Sequence, residues 1–159
     1  MRKSGGDVDT GGLTVPDRSA VVLQEGDRVA LIRRDHVAEA PYYLFPGGAV
    51  EQGESAEQAA RREALEELGV EVELGDLLAI VMWQGRGQYY WWATRRGGVF
   101  GTGAGPEMAA RRESPVGSHT PVWLPLAELA CCDVRPAAVA SLLAQGHRPP
   151  APVVIVERH

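Results

Sequence analysis

The stretch SAEQAARREALEELG, residues 55–69, constrains the chain more than any other, because it carries both a start and a stop for a helix. Ser55 followed three residues later by Gln58 is a capping box, and Gly69 stands where a left-handed C-terminal cap belongs. These signals predict a helix over about Ala56 to Leu68. On such a helix, at about 100° per residue, Glu63, Glu66 and Glu67 fall within an arc of roughly 100° and share one face. Ala64, Leu65 and Leu68 would occupy the other side and supply an apolar stripe for packing on a sheet.

Three like charges at this spacing cost a few tenths of a kcal/mol per pair. Two readings meet that cost. Arg61, Arg62 and solvent offset it on a solvated face, or a hard divalent cation sits among the carboxylate oxygens. The helix alone leaves both open.

Composition narrows the partners. The chain has 159 residues, 45% of them hydrophobic, which is the scale of one globular domain. Its formal charge of -5 gives no general attraction for nucleic acid or an anionic membrane, so neither is expected as a stable partner. A polyanionic substrate would need local cations or metal. The only cysteines, Cys131 and Cys132, are adjacent, which makes neither a disulfide framework nor a spaced zinc site, and a reducing cytoplasm follows as the expectation. Residues 1–16 lack an apolar signal segment and read as a flexible leader; residues 17–159 read as a single domain.

Element types alternate along that domain without internal repeat. SAVVLQEGDRVALIRR is a hairpin turning at Glu25-Gly26-Asp27. The stretch DHVAEAPYYLFPGGAVEQGES, with Pro41, Pro46, Gly47, Gly48 and Gly53, reads as a long shaped loop. LLAIVMW and QYYWWAT, around QGRG, predict a second strand pair. A glycine-rich, charged stretch from Arg95 to His119 reads as a second long loop, PVWLPL as a final sheet strand and RPAAVASLLAQG as a terminal helix. The tail PPAPVVIVERH reads as an edge strand or an oligomer arm.

The context upstream of the helix decides between the two readings of the glutamates. Gly48, Glu54, Arg62, Glu63, Ala64, Glu66, Glu67, Gly69 and Val70 stand at the spacing of the Nudix box, and the chain resembles the Nudix hydrolase family on those residues. FPGG before the box and PVWLPLAEL after it are also similar to the family. Ala64 is the one departure, small where the pattern has a bulkier aliphatic. The resemblance implies an α/β fold, an α/β/α sandwich with a central mixed β-sheet in which the box forms loop, helix and turn. It also implies hydrolysis of a nucleoside diphosphate linked to another group, with Mg²⁺ or Mn²⁺ as cofactor.

By that resemblance Glu63, Glu66 and Glu67 are the metal ligands, one of them a potential base, and the Gly48 carbonyl completes the shell. Glu54 and Arg62 are expected to pair and to orient the catalytic carboxylates. The family often takes a further ligand or base from a loop opposite the helix, where Glu107 and Glu113 are the candidates. From their own position, Arg33 and Arg34 at the end of the second strand are candidates to meet substrate phosphates. Tyr42, Tyr43, Trp83, Tyr89, Tyr90, Trp91 and Trp92 offer stacking surfaces, most of them expected in the core.

Beyond the box, EVELGDLLAIVMWQGRGQ lacks the proline or tyrosine that marks ADP-ribose or dinucleoside-polyphosphate preference in similar proteins. The expected substrates are therefore nucleoside triphosphates, oxidised ones included, and nucleotide sugars. The alternatives are ADP-ribose hydrolysis or a non-catalytic nucleotide sensor, and the latter would ordinarily have lost a box carboxylate. A monomer and a homodimer are equally compatible with the sequence.

Overall fold

The computed structural model describes residues 16–103, 117–146 and 148–157. Apart from Pro16 the expected leader lies outside the described residues, as do Glu107 and Glu113.

Strands β1 (Arg18–Glu25) and β2 (Arg28–His36) form the expected hairpin, with Glu25 opposite Arg28 across the turn. Their backbones pair only at that end, at Gln24 and Glu25, and beyond it the two strands diverge. The next segment differs from the expected loop. β3 (Glu39–Leu44) pairs antiparallel with β2, and the three-residue β4 (Gly47–Ala49) pairs antiparallel with Arg18–Ala20 of β1. Proline is tolerated in β3 because Pro41 lies where the β2–β3 register shifts, between Arg34 and His36, and no ladder hydrogen bond is forfeited at a bulge.

Helix α1 (Ala56–Leu68) has the predicted bounds. Ser55 Oγ accepts from the Gln58 backbone N–H, Gln58 Oε1 accepts from Ser55 N–H, and Gly69 closes the helix at φ 81°. The second hairpin is longer than its apolar runs suggested: β5 (Val70–Trp83) pairs antiparallel with β6 (Arg86–Gly98) around Gln84-Gly85, both at positive φ, the turn that suits hairpin twist. β7 (Gly117–Pro125) pairs antiparallel with β2 and is not the last strand. After a short 3-10 turn at Leu126–Glu128 come β8 (Val134–Arg135), helix α2 (Ala137–Ala144) with Pro136 at its cap, and β9 (Val153–Glu157). The tail is an edge strand, parallel to β5.

These strands make one mixed sheet in the order β8-β3-β2-β1-β6-β5-β9, with β4 on β1 and β7 on β2. Alternate residues serve opposite faces. Val21, Leu23 and Ile32 pack under α1 against Ala60, Ala64 and Leu68, while Val22, Leu31, Leu78 and Tyr90 pack with Val139 and Leu143 of α2. No helix among the described residues is long and apolar enough to cross a membrane.

One expectation about α1 fails. Leu65 is 49% exposed and takes no part in the apolar stripe; the buried face is Ala59, Ala60, Glu63, Ala64, Glu67 and Leu68. Glu63 and Glu67 thus lie within the packed face, 7% and 9% exposed, and not opposite it. Glycine in β4 makes the room: a Cβ added at Gly48 would strike the Glu63 carboxylate.

Candidate active site

Where β1 and β2 part, a cleft of about 530 Å³ opens, floored by α1 and β4 and walled by β2, β3 and β7. Its lining carries four carboxylates, Glu51, Glu63, Glu66 and Glu67, and three guanidiniums, Arg18, Arg34 and Arg62. A pocket this charged is suited to a polyanion held partly through cations.

Arg62 organises the floor. Its Nε donates to Glu54 Oε2 at 2.7 Å and its Nη2 to Glu54 Oε1 at 3.1 Å, a paired fork of the strong, charge-assisted kind. Nη2 also donates to the Ala49 carbonyl at 3.0 Å, and Nη1 reaches Glu63 Oε2 at 2.9 Å and Glu66 Oε1 at 3.3 Å. One side chain therefore ties the end of β4, the loop at Glu54 and two helix carboxylates together. The fork holds the Glu54 carboxyl below its ordinary range, helped by the Glu51 N–H, which donates to it at 3.0 Å, and the carboxylates in turn keep Arg62 protonated.

Glu67 faces the strand. Its Oε1 accepts from the Gly47 N–H at 2.8 Å, in a buried contact between helix and β4. The helix start is anchored by a residue that no sequence signal singled out: fully buried Ser19 on β1 donates to the Ala56 carbonyl at 2.6 Å and accepts from Trp91 Nε1 at 3.0 Å.

Of the two strand-end arginines, the structure brings only Arg34 into the cleft lining. Alternation turns Arg33 to the other face, where it pairs with Asp35 at 3.1 Å. Glu51, whose carboxylate lies 3.9 Å from Arg62 Nη2, escaped the sequence reading, as did Arg18 and His119. Arg18 sits at the start of β1, its Nη2 3.4 Å from the Gly47 carbonyl, and His119 is 4% exposed on β7, directly opposite Arg34 in the ladder. Arg18 precedes the apolar run of its strand and His119 ends a stretch read as loop, so no local pattern marked either. None of the seven tyrosines and tryptophans offered for stacking lines this cleft; the aromatic there is Phe45.

The donor set fits a hard divalent cation. Glu63, Glu66, Glu67 and the backbone at Gly48 offer hard oxygens only, and the missing Cβ at Gly48 is what lets the Glu63 carboxylate lie against that backbone. Among the described residues no three acidic, imidazole or thiol groups stand together as a metal-holding group.

Comparison with known proteins agrees with this architecture. Residues 13–131 match the NUDIX domain model. A 60-residue stretch is 42% identical to a putative 8-oxo-dGTP diphosphatase of Bacillus subtilis (strain 168) and spans 38% of each chain. Among solved structures, a NUDIX hydrolase from Nitrosomonas europaea aligns with a TM-score of 0.61 at 20% identity, over 91% of this chain and 81% of its own. An ADP-ribose pyrophosphatase from Streptococcus suis 89-1591 aligns with a TM-score of 0.60 at 15% identity, over 88% and 97% respectively. At such identities the structural likenesses establish the fold, and the domain match establishes the family: this chain belongs to the NUDIX domain family.

Proposed function

We propose that the chain is a Mg²⁺-dependent pyrophosphohydrolase that cleaves the P–O–P linkage of a nucleoside triphosphate, an oxidised nucleotide or a nucleotide sugar. The observation that carries this reading is the Arg62 network, which collects Glu54, Glu63, Glu66 and the Ala49 carbonyl at the floor of a cleft whose walls bear Arg18 and Arg34. The 42% identity to a putative 8-oxo-dGTP diphosphatase supports a nucleoside triphosphate within that class.

Glu63, Glu66, Glu67 and the Gly48 carbonyl would hold the metal, Mg²⁺ or Mn²⁺. When bound, such a cation neutralises phosphoryl charge and lowers the pKa of water. The chain's own residues do the rest. Arg34 and Arg18 engage the non-reacting phosphate oxygens, and Arg62 with Glu54 fixes the carboxylates, one of which accepts the proton of the attacking water. Phe45, Leu44 and Ile32 supply the apolar wall that limits solvent at the scissile bond.

The test is a product-chromatography and phosphate-release screen with Mg²⁺ against nucleoside triphosphates, 8-oxo-dGTP, nucleotide sugars and ADP-ribose. Turnover of one of the first three classes, lost on adding EDTA, is the expected result. Turnover confined to ADP-ribose would reassign the substrate, and binding without any turnover would make the protein a sensor.

A further inference from the structure

A second hollow of about 310 Å³ adjoins the cleft and shares Arg18, Leu44 and Phe45 with it as a common wall. This volume lies at the lower end of the roughly 300–1,000 Å³ typical of ligand sites. A nucleotide whose phosphates lie over α1 would thus have a place for its base immediately beyond that wall. Besides Arg18 in that wall, the hollow's polar lining comes from Gln88, Tyr90, Arg135 and Glu157.

These groups have fixed orientations. The Tyr90 hydroxyl donates to Gln88 Oε1 at 2.9 Å, which turns the Nε2 end of the carboxamide away from Tyr90 as an N–H donor. Tyr90 is 5% exposed, and burial, opposed by the Arg18 charge and aided by that of Glu157, pushes its phenol up to about 12, so it stays a neutral donor. Arg135 is committed elsewhere: it pairs with Asp133 at 2.9 Å and stacks 3.8 Å over the Tyr42 ring, forming a flat side to the hollow.

Glu157 arrives by register. In β9, Ile155 packs on the core beneath α2, so alternation sets Glu157 on that same sheet face, with Gln88 and Tyr90. A slip of one residue would turn it to the other face. The hollow therefore pairs a carboxylate acceptor with a carboxamide donor. Among the common bases, only guanine offers adjacent N–H donors, at N1 and N2, next to a carbonyl acceptor at O6. Adenine, cytosine and thymine each leave the carboxylate with a single donor.

We propose that Glu157, with Gln88, selects guanine-type bases at this hollow: the carboxylate accepts from N1–H and the N2 amino group, and the Gln88 amide donates to O6. The proposal rests on the nucleotide-hydrolase reading above for its link to turnover. The edge it uses is the same in guanine and 8-oxoguanine, so this device reads the base and not its oxidation.

The test compares wild type with Glu157→Gln, which keeps the shape but replaces one acceptor oxygen with an NH₂ donor, so it can no longer face two N–H groups with two acceptors. With dGTP, 8-oxo-dGTP, dATP and dCTP as substrates, the ratio of guanine to adenine kcat/KM falls about tenfold in the variant, as the loss of one paired contact to a base implies. The fall is equal for dGTP and 8-oxo-dGTP. In parallel, calorimetry with guanosine and adenosine, which carry no phosphate, reads the hollow independently of catalysis, and the variant loses its preference for guanosine. An unchanged ratio together with unchanged guanosine binding overturns the proposal, as does an equal loss for every base. Guanosine selectivity without any turnover would sink the hydrolase reading while leaving the guanine site standing.

Discussion

Arg62 and Glu54 meet as a two-pronged fork, Nε to Oε2 at 2.7 Å and Nη2 to Oε1 at 3.1 Å, although eight positions separate them in the chain. The remaining guanidinium hydrogens reach Ala49, Glu63 and Glu66. An ammonium is a point donor and cannot span these partners. Arg62→Lys is therefore expected to keep the charge and lose the arrangement, lowering kcat and Mg²⁺ affinity by about 10- to 100-fold. Kinetics across a Mg²⁺ titration check it; wild-type values would show that charge alone suffices.

Glu66→Gln and Glu67→Gln are each expected to abolish turnover with the fold intact. In Glu67→Gln the new amide carbonyl could still accept from the Gly47 N–H, so the helix-to-strand contact that Glu67 makes at 2.8 Å survives. Circular dichroism and thermal melting would check the fold, and unchanged rates at saturating Mg²⁺ in both variants would remove these carboxylates from the reaction.

Arg34 and Arg33 are neighbours in sequence and opposites in space. Arg34 lines the cleft, whereas Arg33 pairs with Asp35 on the other face. Arg34→Ala should raise KM about tenfold more than Arg33→Ala, a difference of roughly 1.4 kcal/mol. Equal effects in steady-state kinetics would show that the strand's alternation does not decide phosphate contact.

Acid should loosen the loop that Glu54 anchors. Its carboxyl is held below the ordinary 4.5 chiefly by the hydrogen bond from Arg62, so near that pH the folded state binds fewer protons than the unfolded one. Stability is then fully present above pH 4.5 and falls as the pH drops through the lowered value. In Glu54→Gln this part of the acid dependence disappears, which denaturant midpoints measured between about pH 3 and 6 would reveal. A wild-type slope in the variant would assign the acid dependence to other groups.

What could be read from sequence was what is local. The capping box at Ser55 and Gln58 and the stop at Gly69 act within a few residues, and α1 has the bounds they predict. The hairpin at Gly26 is equally local. β3 and β4 were hidden because their stability lies in partners far along the chain: Gly47 and Gly48 are strand residues only because β1 stands beside them. The same non-locality concealed Arg18 and His119, which reach the cleft from strands assembled around it. Leu65 misled because periodicity alone makes it a better core residue than Glu63 or Glu67. The burial of Glu63, and not Leu65, goes with how closely β4 approaches the helix at Gly48, where a side chain would strike the Glu63 carboxylate.

That close approach sets heat tolerance against chemistry. A helix that seats Glu63 and Glu67 on its packed face, 7% and 9% exposed, bears a desolvation cost that well-packed apolar residues at those positions would not. Selection for thermal survival alone would favour apolar residues at both positions and yield a hardier, inert protein.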